Sequence, residues 1–381
     1  VQPPLIARLS HTAQVLFGKS TPSNNQTNQE IVKKWQGHPR CIGIPRQRLV
    51  PDFVISLPPE SNIAQLNGPV SIHAFPMKAF FNYQWMAPCV LLSILPLTQA
   101  QDAAPVTAPG AQLEQLGNGF SFTEGPSADQ HGNVFFTDQP NDRIVRWDAN
   151  DGSFSDWLKP AGRSNGTFFD KDGNLWACAD GKNELWSIAP DKKHTVILNT
   201  YDNKLMNGPN DLWIRPDGGI YFTDPLYPRN YWERDPAMQQ DGQHLYFLQK
   251  GAVKPVRVAD DFKQPNGLIG TPDGKILYVA DIGGRKTYTF DIQADGSVTN
   301  KRLFCELGSD GMTIDNEGNV YLTGRGVTVF NSKGEKIQHI PVPGGWTANV
   351  TFGGKNKDLL FITASKSVFG IQMRTKGVTP F

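Results

Sequence analysis

The chain has 381 residues, more than one average domain and within reach of a single large β-barrel or propeller. Its 37 Lys and Arg stand against 36 Asp and Glu, a balance that gives no sign of a nucleic-acid or polyanion binder. Plentiful glycine (37) and proline (29), with 10% aromatics, suit many short strands joined by tight turns and argue against long helices or a coiled coil.

Charge is unevenly spread. Residues 1–100 hold 8 basic and 3 acidic side chains, leaving 29 and 33 for residues 101–381. Residues 1–76 are polar and turn-rich (Thr21-Pro22-Ser23-Asn24), without methionine or sustained periodicity. They are expected to fall outside the mature protein, as an upstream or disordered segment. Met77-Lys78 then leads into the apolar run 86–97 and the small-residue stretch Thr98-Gln99-Ala100. A short positive region, an apolar core too short to span a bilayer and a cleavage site follow in the order of a secretory signal peptide over 77–100. Pro88 and Pro96 weaken the competing reading, a buried strand. The expectation is therefore translation from Met77, a mature domain at 101–381, export to the periplasm or medium, and no stable membrane insertion. Cys178 and Cys305 sit inside apolar strand patterns, the usual setting of a buried structural thiol.

From residue 120 onward one pattern recurs: a polar residue, a short apolar stretch, a turn, then a β-branched and aromatic run. Its copies open at Glu124, Asn165, Asn210, Asn266, Asp310 and Asn349, spaced 41, 45, 56, 44 and 39 positions apart. From opening residue to turn residue is eight positions every time (124→132, 165→173, 210→218, 266→274, 310→318, 349→357), the last turn having Lys357 for glycine. Units of about 40 residues with several strands are propeller blades. The sequence predicts an all-β, six-bladed β-propeller with four-stranded blades. The last repeat has room for about three strands, and Leu113-Glu114-Gln115-Leu116 is placed to supply the fourth and close the ring.

In a propeller the innermost strands line the channel, so the six opening residues should share one level. None is apolar, and two carboxylates with four amide oxygens suit a hard cation, Ca²⁺ over Zn²⁺. The bland alternative is turn chemistry for the Asn-Gly pairs, or channel water. One strand pair later come Asp138, Asp180, Asp224 and Asp281, either orienting the ligands or serving as plain strand-end turns, the second being favoured for Asp138 and Asp180. The third repeat carries the insertion Pro225-Leu226-Tyr227-Pro228-Arg229-Asn230-Tyr231-Trp232-Glu233-Arg234-Asp235, whose composition suits a substrate-covering loop, with His244 beyond it.

The motifs Glu124-Gly125-Pro126, Arg163-Ser164-Asn165-Gly166, Pro209-Asn210-Asp211-Leu212 with Phe222-Thr223-Asp224-Pro225, Pro265-Asn266-Gly267-Leu268 and Asp310-Gly311-Met312, in this order, resemble the gluconolactonase branch of the senescence-marker-protein/gluconolactonase family over about residues 112–374. The resemblance implies a six-bladed propeller with one catalytic divalent ion, usually Ca²⁺, another divalent cation being the alternative. It implies Glu124, Asn266 and Asp310 as metal ligands and Asn210 at the metal or substrate, and does not extend the ligand set to Asn165 or Asn349. Many relatives carry a His where this chain has Asp180-Gly181. Asp310 is the expected general base and Asn210 an oxyanion donor. Substrate contacts are expected from Asn210, Asn165, Asp224, Arg163 and His244. The implied activity is metal-dependent hydrolysis of a small sugar lactone, with nucleophilic attack by Asp310 also open. Phosphotriester or arylester hydrolysis on the same site is one alternative, and a non-catalytic sugar-binding propeller another. No nucleic-acid or protein partner is expected.

Overall fold

The structure is a computed structural model and describes residues 104–378. The expectations for residues 1–76 and 77–100 lie outside the described residues. Six four-stranded antiparallel sheets follow one another in chain order, each forming one blade of a six-bladed propeller. The first blade runs Thr123–Ala128, Val134–Asp138, Arg143–Trp147 and Phe154–Leu158 from the axis outward. The inner strands of the next five blades are Ser164–Phe169, Leu212–Ile214, Pro265–Gly270, Met312–Ile314 and Thr347–Gly353.

The eight-residue spacing has a local cause. In the first, second and fifth blades an Asp three residues before the turn glycine accepts backbone N–H groups from the turn, and the Asn after the glycine donates its amide back. Examples are Asp129 with Asn133 (2.8 Å) and Asp315 with Asn319 (2.8 Å). The turn residue itself needs positive φ, met by Gly132 (84°) and Gly318 (80°). The sixth copy keeps the conformation without the glycine, Lys357 standing at φ 58°.

Second strands such as Val134–Asp138 and Ile220–Asp224 are buried along their whole length because blades cover them on both faces, while outer strands alternate or lie open. Aromatic rings bridge blade to blade: Phe135 with Phe169 (5.0 Å), Phe304 with Phe330 (6.0 Å), Tyr321 with Phe352 (5.3 Å) and Phe361 with Phe136 (5.7 Å). Between the second and third blades, Cys178, Leu185, Leu212 and Phe222 share one core cluster. Both Cys178 and Cys305 are buried free thiols. No helix among the described residues is long and apolar enough to cross a membrane.

The ring closes as the sequence suggests. Glu114–Asn118 pairs antiparallel with Ser367–Gln372 and becomes the outermost strand of the sixth blade. An unforeseen element is the small hairpin of Thr200–Tyr201 and Lys204–Leu205 ahead of the third blade. Its carbonyls at Tyr201, Lys204 and Leu205 accept the Gln240 amide, tying down the far end of the insertion loop.

Candidate active site

The six opening residues do lie at one level around the axis, and the residue after each shows how. Gly125, Gly166, Gly267 and Gly311 press against the next blade: a Cβ on Gly125 would lie 2.0 Å from the Asn165 carbonyl oxygen, and one on Gly267 2.3 Å from that of Asp310. Both Asn-Gly pairs sit inside strands, so the turn reading of these pairs is corrected. Glycine is there to let blades approach. Threonines of the second strands clip the same level, with Thr137 Oγ1 donating to Asn165 O (3.1 Å) and Thr223 Oγ1 to Asn266 O (2.9 Å).

Five of the six opening side chains are buried and Asp310 is half-buried, so solvent reaches the group through Asp310. Asn266 Nδ2 donates to Asp310 Oδ1 (2.7 Å) and to the Tyr227 hydroxyl (2.9 Å), which leaves its Oδ1 outside these bonds. Trp346 Nε1 donates to the other Asp310 oxygen (2.5 Å) while its indole stays 40% exposed at the mouth. Glu124 accepts from Gly125 N (2.8 Å). Asn349 reaches Asp211 Oδ2 (3.4 Å). The side-chain amides of Asn165 and Asn210 hold no protein hydrogen bond among the described residues, although the Asn210 backbone is fixed by Gly166 N and Thr223 O.

Burial, then the nearby Asp310 charge, pushes the Glu124 carboxyl well above its ordinary range. Burial lifts Asp310 to about 6, against the Trp346 and Asn266 donors that favour its charged form. Burial also raises Asp211 to about 8. No cationic side chain pairs with Glu124, Asp211 or Asp310 among the described residues. Buried, mutually repelling carboxylates with uncommitted amide oxygens fit a hard divalent cation, which would relieve the repulsion. Among the described residues no trio of His, Cys, Asp or Glu gathers in metal-binding geometry, so such a site would combine carboxylate with amide oxygens.

The remaining expected residues scatter. Asp224 is fully buried, and its oxygens accept Asn207 N (2.9 Å) and Gly208 N (2.8 Å), so it shapes the loop that delivers Asn210. Asp138 and Asp281 do the same in their blades, taking Ser121 N and Gln264 N (2.9 Å each). His244 is buried at a strand start with Nε2 on Asp241 (2.9 Å). Arg163 stacks 4.7 Å over the Tyr231 ring beneath the insertion loop. Asp180 departs from the strand-end role expected of it: it holds that loop through Trp232 Nε1 (3.0 Å) and Arg234 Nη2 (2.7 Å).

Three site residues escaped the sequence reading. Asp211 occupies the phase that is glycine in four other copies, a signal that was available. Trp346 follows Gly344-Gly345 just ahead of the sixth inner strand, and Tyr227 was noticed only as loop composition.

The family described as SMP-30/Gluconolactonase/LRE-like region matches residues 122–366. The chain belongs to this family. A gluconolactonase of Zymomonas mobilis is 27% identical over 295 residues, covering 70% of this chain and 82% of its own length. A solved gluconolactonase from Xanthomonas campestris superposes with TM-score 0.66 at 29% identity, covering 70% of this chain and 91% of its own. A regucalcin of Agrobacterium tumefaciens, described as a calcium-binding protein, shares the family's fold at TM-score 0.59 and 18% identity, covering 70% and 95%.

Proposed function

We propose that the chain is a lactone hydrolase acting on a sugar lactone such as glucono-1,5-lactone. The observation that carries this reading is the juxtaposition of a buried carboxylate, Glu124, and a half-buried one, Asp310, with amide groups that have no protein partner among the described residues. The gluconolactonases of Zymomonas and Xanthomonas supply the substrate class.

Glu124, Asn266 Oδ1 and Asp310 would hold a divalent cation, Ca²⁺ by the hardness of the oxygen set and by the description of the Agrobacterium relative. Bound there, such an ion supplies Lewis-acid polarisation of the lactone carbonyl. Asp310, its carboxyl raised by burial, takes the proton of the attacking water. Tyr227 and Trp346 fix the carboxylate, through Asn266 and directly. The Asn210 amide N–H donates to the carbonyl oxygen as charge builds on it. Water adds to the carbonyl carbon, the ring C–O bond breaks, and the departing oxygen takes up the proton to give the open-chain acid.

The test is a panel of lactones, a phosphotriester and an arylester, assayed with and without EGTA, on wild type, Glu124→Gln and Asp310→Asn. Lactone turnover should fall with chelator and return with Ca²⁺. Glu124→Gln should recover much of its rate at saturating cation, whereas Asp310→Asn should stay about 10²–10⁴-fold slow. Wild-type turnover by cation-saturated Asp310→Asn would remove the base assignment. Preference for the phosphotriester or arylester would move the substrate class, and no turnover of any kind would leave a sugar-binding propeller.

A further inference from the structure

The insertion loop is rigidly seated over the site. Asp180 clamps its middle, Asn207 Oδ1 accepts Gln239 N and Gln240 N (2.9 Å each), and Gln243 Oε1 accepts Leu226 N (2.8 Å). This seating carries more positive charge than the loop's own structure uses. Arg234 is spent on Asp180, stacking 3.4 Å over Trp232. Arg229 pairs with no carboxylate among the described residues; its guanidinium lies 5.2 Å over the Tyr227 ring, and its buried Nε has no partner. Arg163 likewise has no ion pair there, its guanidinium donating only to the Pro140 carbonyl. Between these two arginines the Tyr231 hydroxyl is buried without a partner. The Arg229 charge is felt at Asp310, Asp180 and Tyr231 alike, which places it between the reacting end of the site and the loop.

A neutral sugar lactone offers these groups hydroxyl acceptors but no charge to balance two guanidinium groups without ion pairs. An anionic substituent supplies that charge, since guanidinium binds carboxylate or phosphate through paired, charge-assisted hydrogen bonds. We propose that the substrate is a sugar lactone bearing an anionic group, a carboxylate or a phosphate, remote from the reacting carbonyl, and that Arg229 with the Tyr231 hydroxyl receives that group. The proposal rests on the lactonase reading given above and narrows it. A site that received the charge developing on the carbonyl oxygen would instead serve every lactone equally, and this difference makes the two roles separable.

The experiment compares kcat/KM for glucono-1,5-lactone, a monolactone of glucaric acid and 6-phosphogluconolactone in wild type, Arg229→Gln and Arg229→Lys, with melting curves for each. Calorimetric binding of glucarate and of 6-phosphogluconate, each against gluconate, runs alongside and needs no turnover. One of the two anionic lactones should be preferred at least tenfold by wild type, and which one is preferred identifies the anion. The preference should shrink as salt rises, drop at least tenfold in Arg229→Gln and partly return in Arg229→Lys. Equal turnover of all three lactones by wild type overturns the proposal, as does an equal fall for all three in Arg229→Gln. If no lactone is turned over, the hydrolase reading falls and binding decides the rest: tighter binding of glucarate or 6-phosphogluconate than of gluconate, lost in Arg229→Gln, sustains the anion site, and equal binding of all three removes it.

Discussion

Gly267→Ala should slow the enzyme from a position that touches no substrate. A Cβ there meets the Asp310 carbonyl oxygen at 2.3 Å and two Gly311 backbone atoms at 2.9 Å, whereas ordinary contact begins at 3.4 Å. The fourth and fifth blades must therefore part by about 1 Å at this level, because backbone on both sides leaves no flexible side chain to yield. That is the level of the 2.7 Å bond from Asn266 to Asp310, which would stretch beyond hydrogen-bonding range. A misplacement of this size costs on the order of 10²-fold in rate. Overpacking of about 1–3 kcal/mol should lower Tm by about 2–12 °C. Gly119→Ala is the control: φ is 86° with open space around it, so alanine strains only the backbone, costing about 1–2 kcal/mol. Steady-state kinetics and melting curves on both variants decide the matter. Wild-type kcat in Gly267→Ala, or an equal loss of kcat in Gly119→Ala, would refute the idea that blade spacing sets the Asn266–Asp310 geometry.

Trp346→Phe removes a donor that favours ionised Asp310, so its pKa should rise from about 6 and the acidic limb of kcat/KM should move to higher pH. An unmoved limb at saturating cation would show that the indole contact is incidental. Arg234→Met leaves Asp180 buried without its cation, a loss of about 3–5 kcal/mol. Limited proteolysis should then cut within residues 225–242 well before global unfolding, and a loop as resistant as wild type would show that the clamp lies elsewhere.

The blades were legible because their pattern is local: a tight turn with one positive-φ residue closes the eight positions in every copy, built from Asp, Gly and Asn in three of them, and burial on both faces demands apolar second strands. Ring closure was legible by elimination, since the last repeat was one strand short. What stayed hidden depends on neighbours far along the chain. For Gly166 and Gly267 the sequence left a turn open as the alternative, and only the arrival of Asn210 and Asp310 against them closes it. Asp138, Asp224 and Asp281 form one set by their backbone partners, whereas Asp180, in the same phase, belongs to the loop clamp; only the packed loop distinguishes them. The paired role of Trp346 depends on a loop with no periodicity to read.

The outermost strand of the sixth blade comes from the opposite end of the domain, Glu114 lying beside Gly370, with Val106 N held by Gln338 across 232 positions. During synthesis this strand emerges first and waits for its partner until the last blade is made. Five blades can pair within themselves as they appear, but the sixth cannot, so closure is the late, non-local step that sets the folding rate. Until then the Glu114–Asn118 strand is without its partner in each unfinished chain, and it is the edge a second unfinished chain, or a chaperone, would meet first.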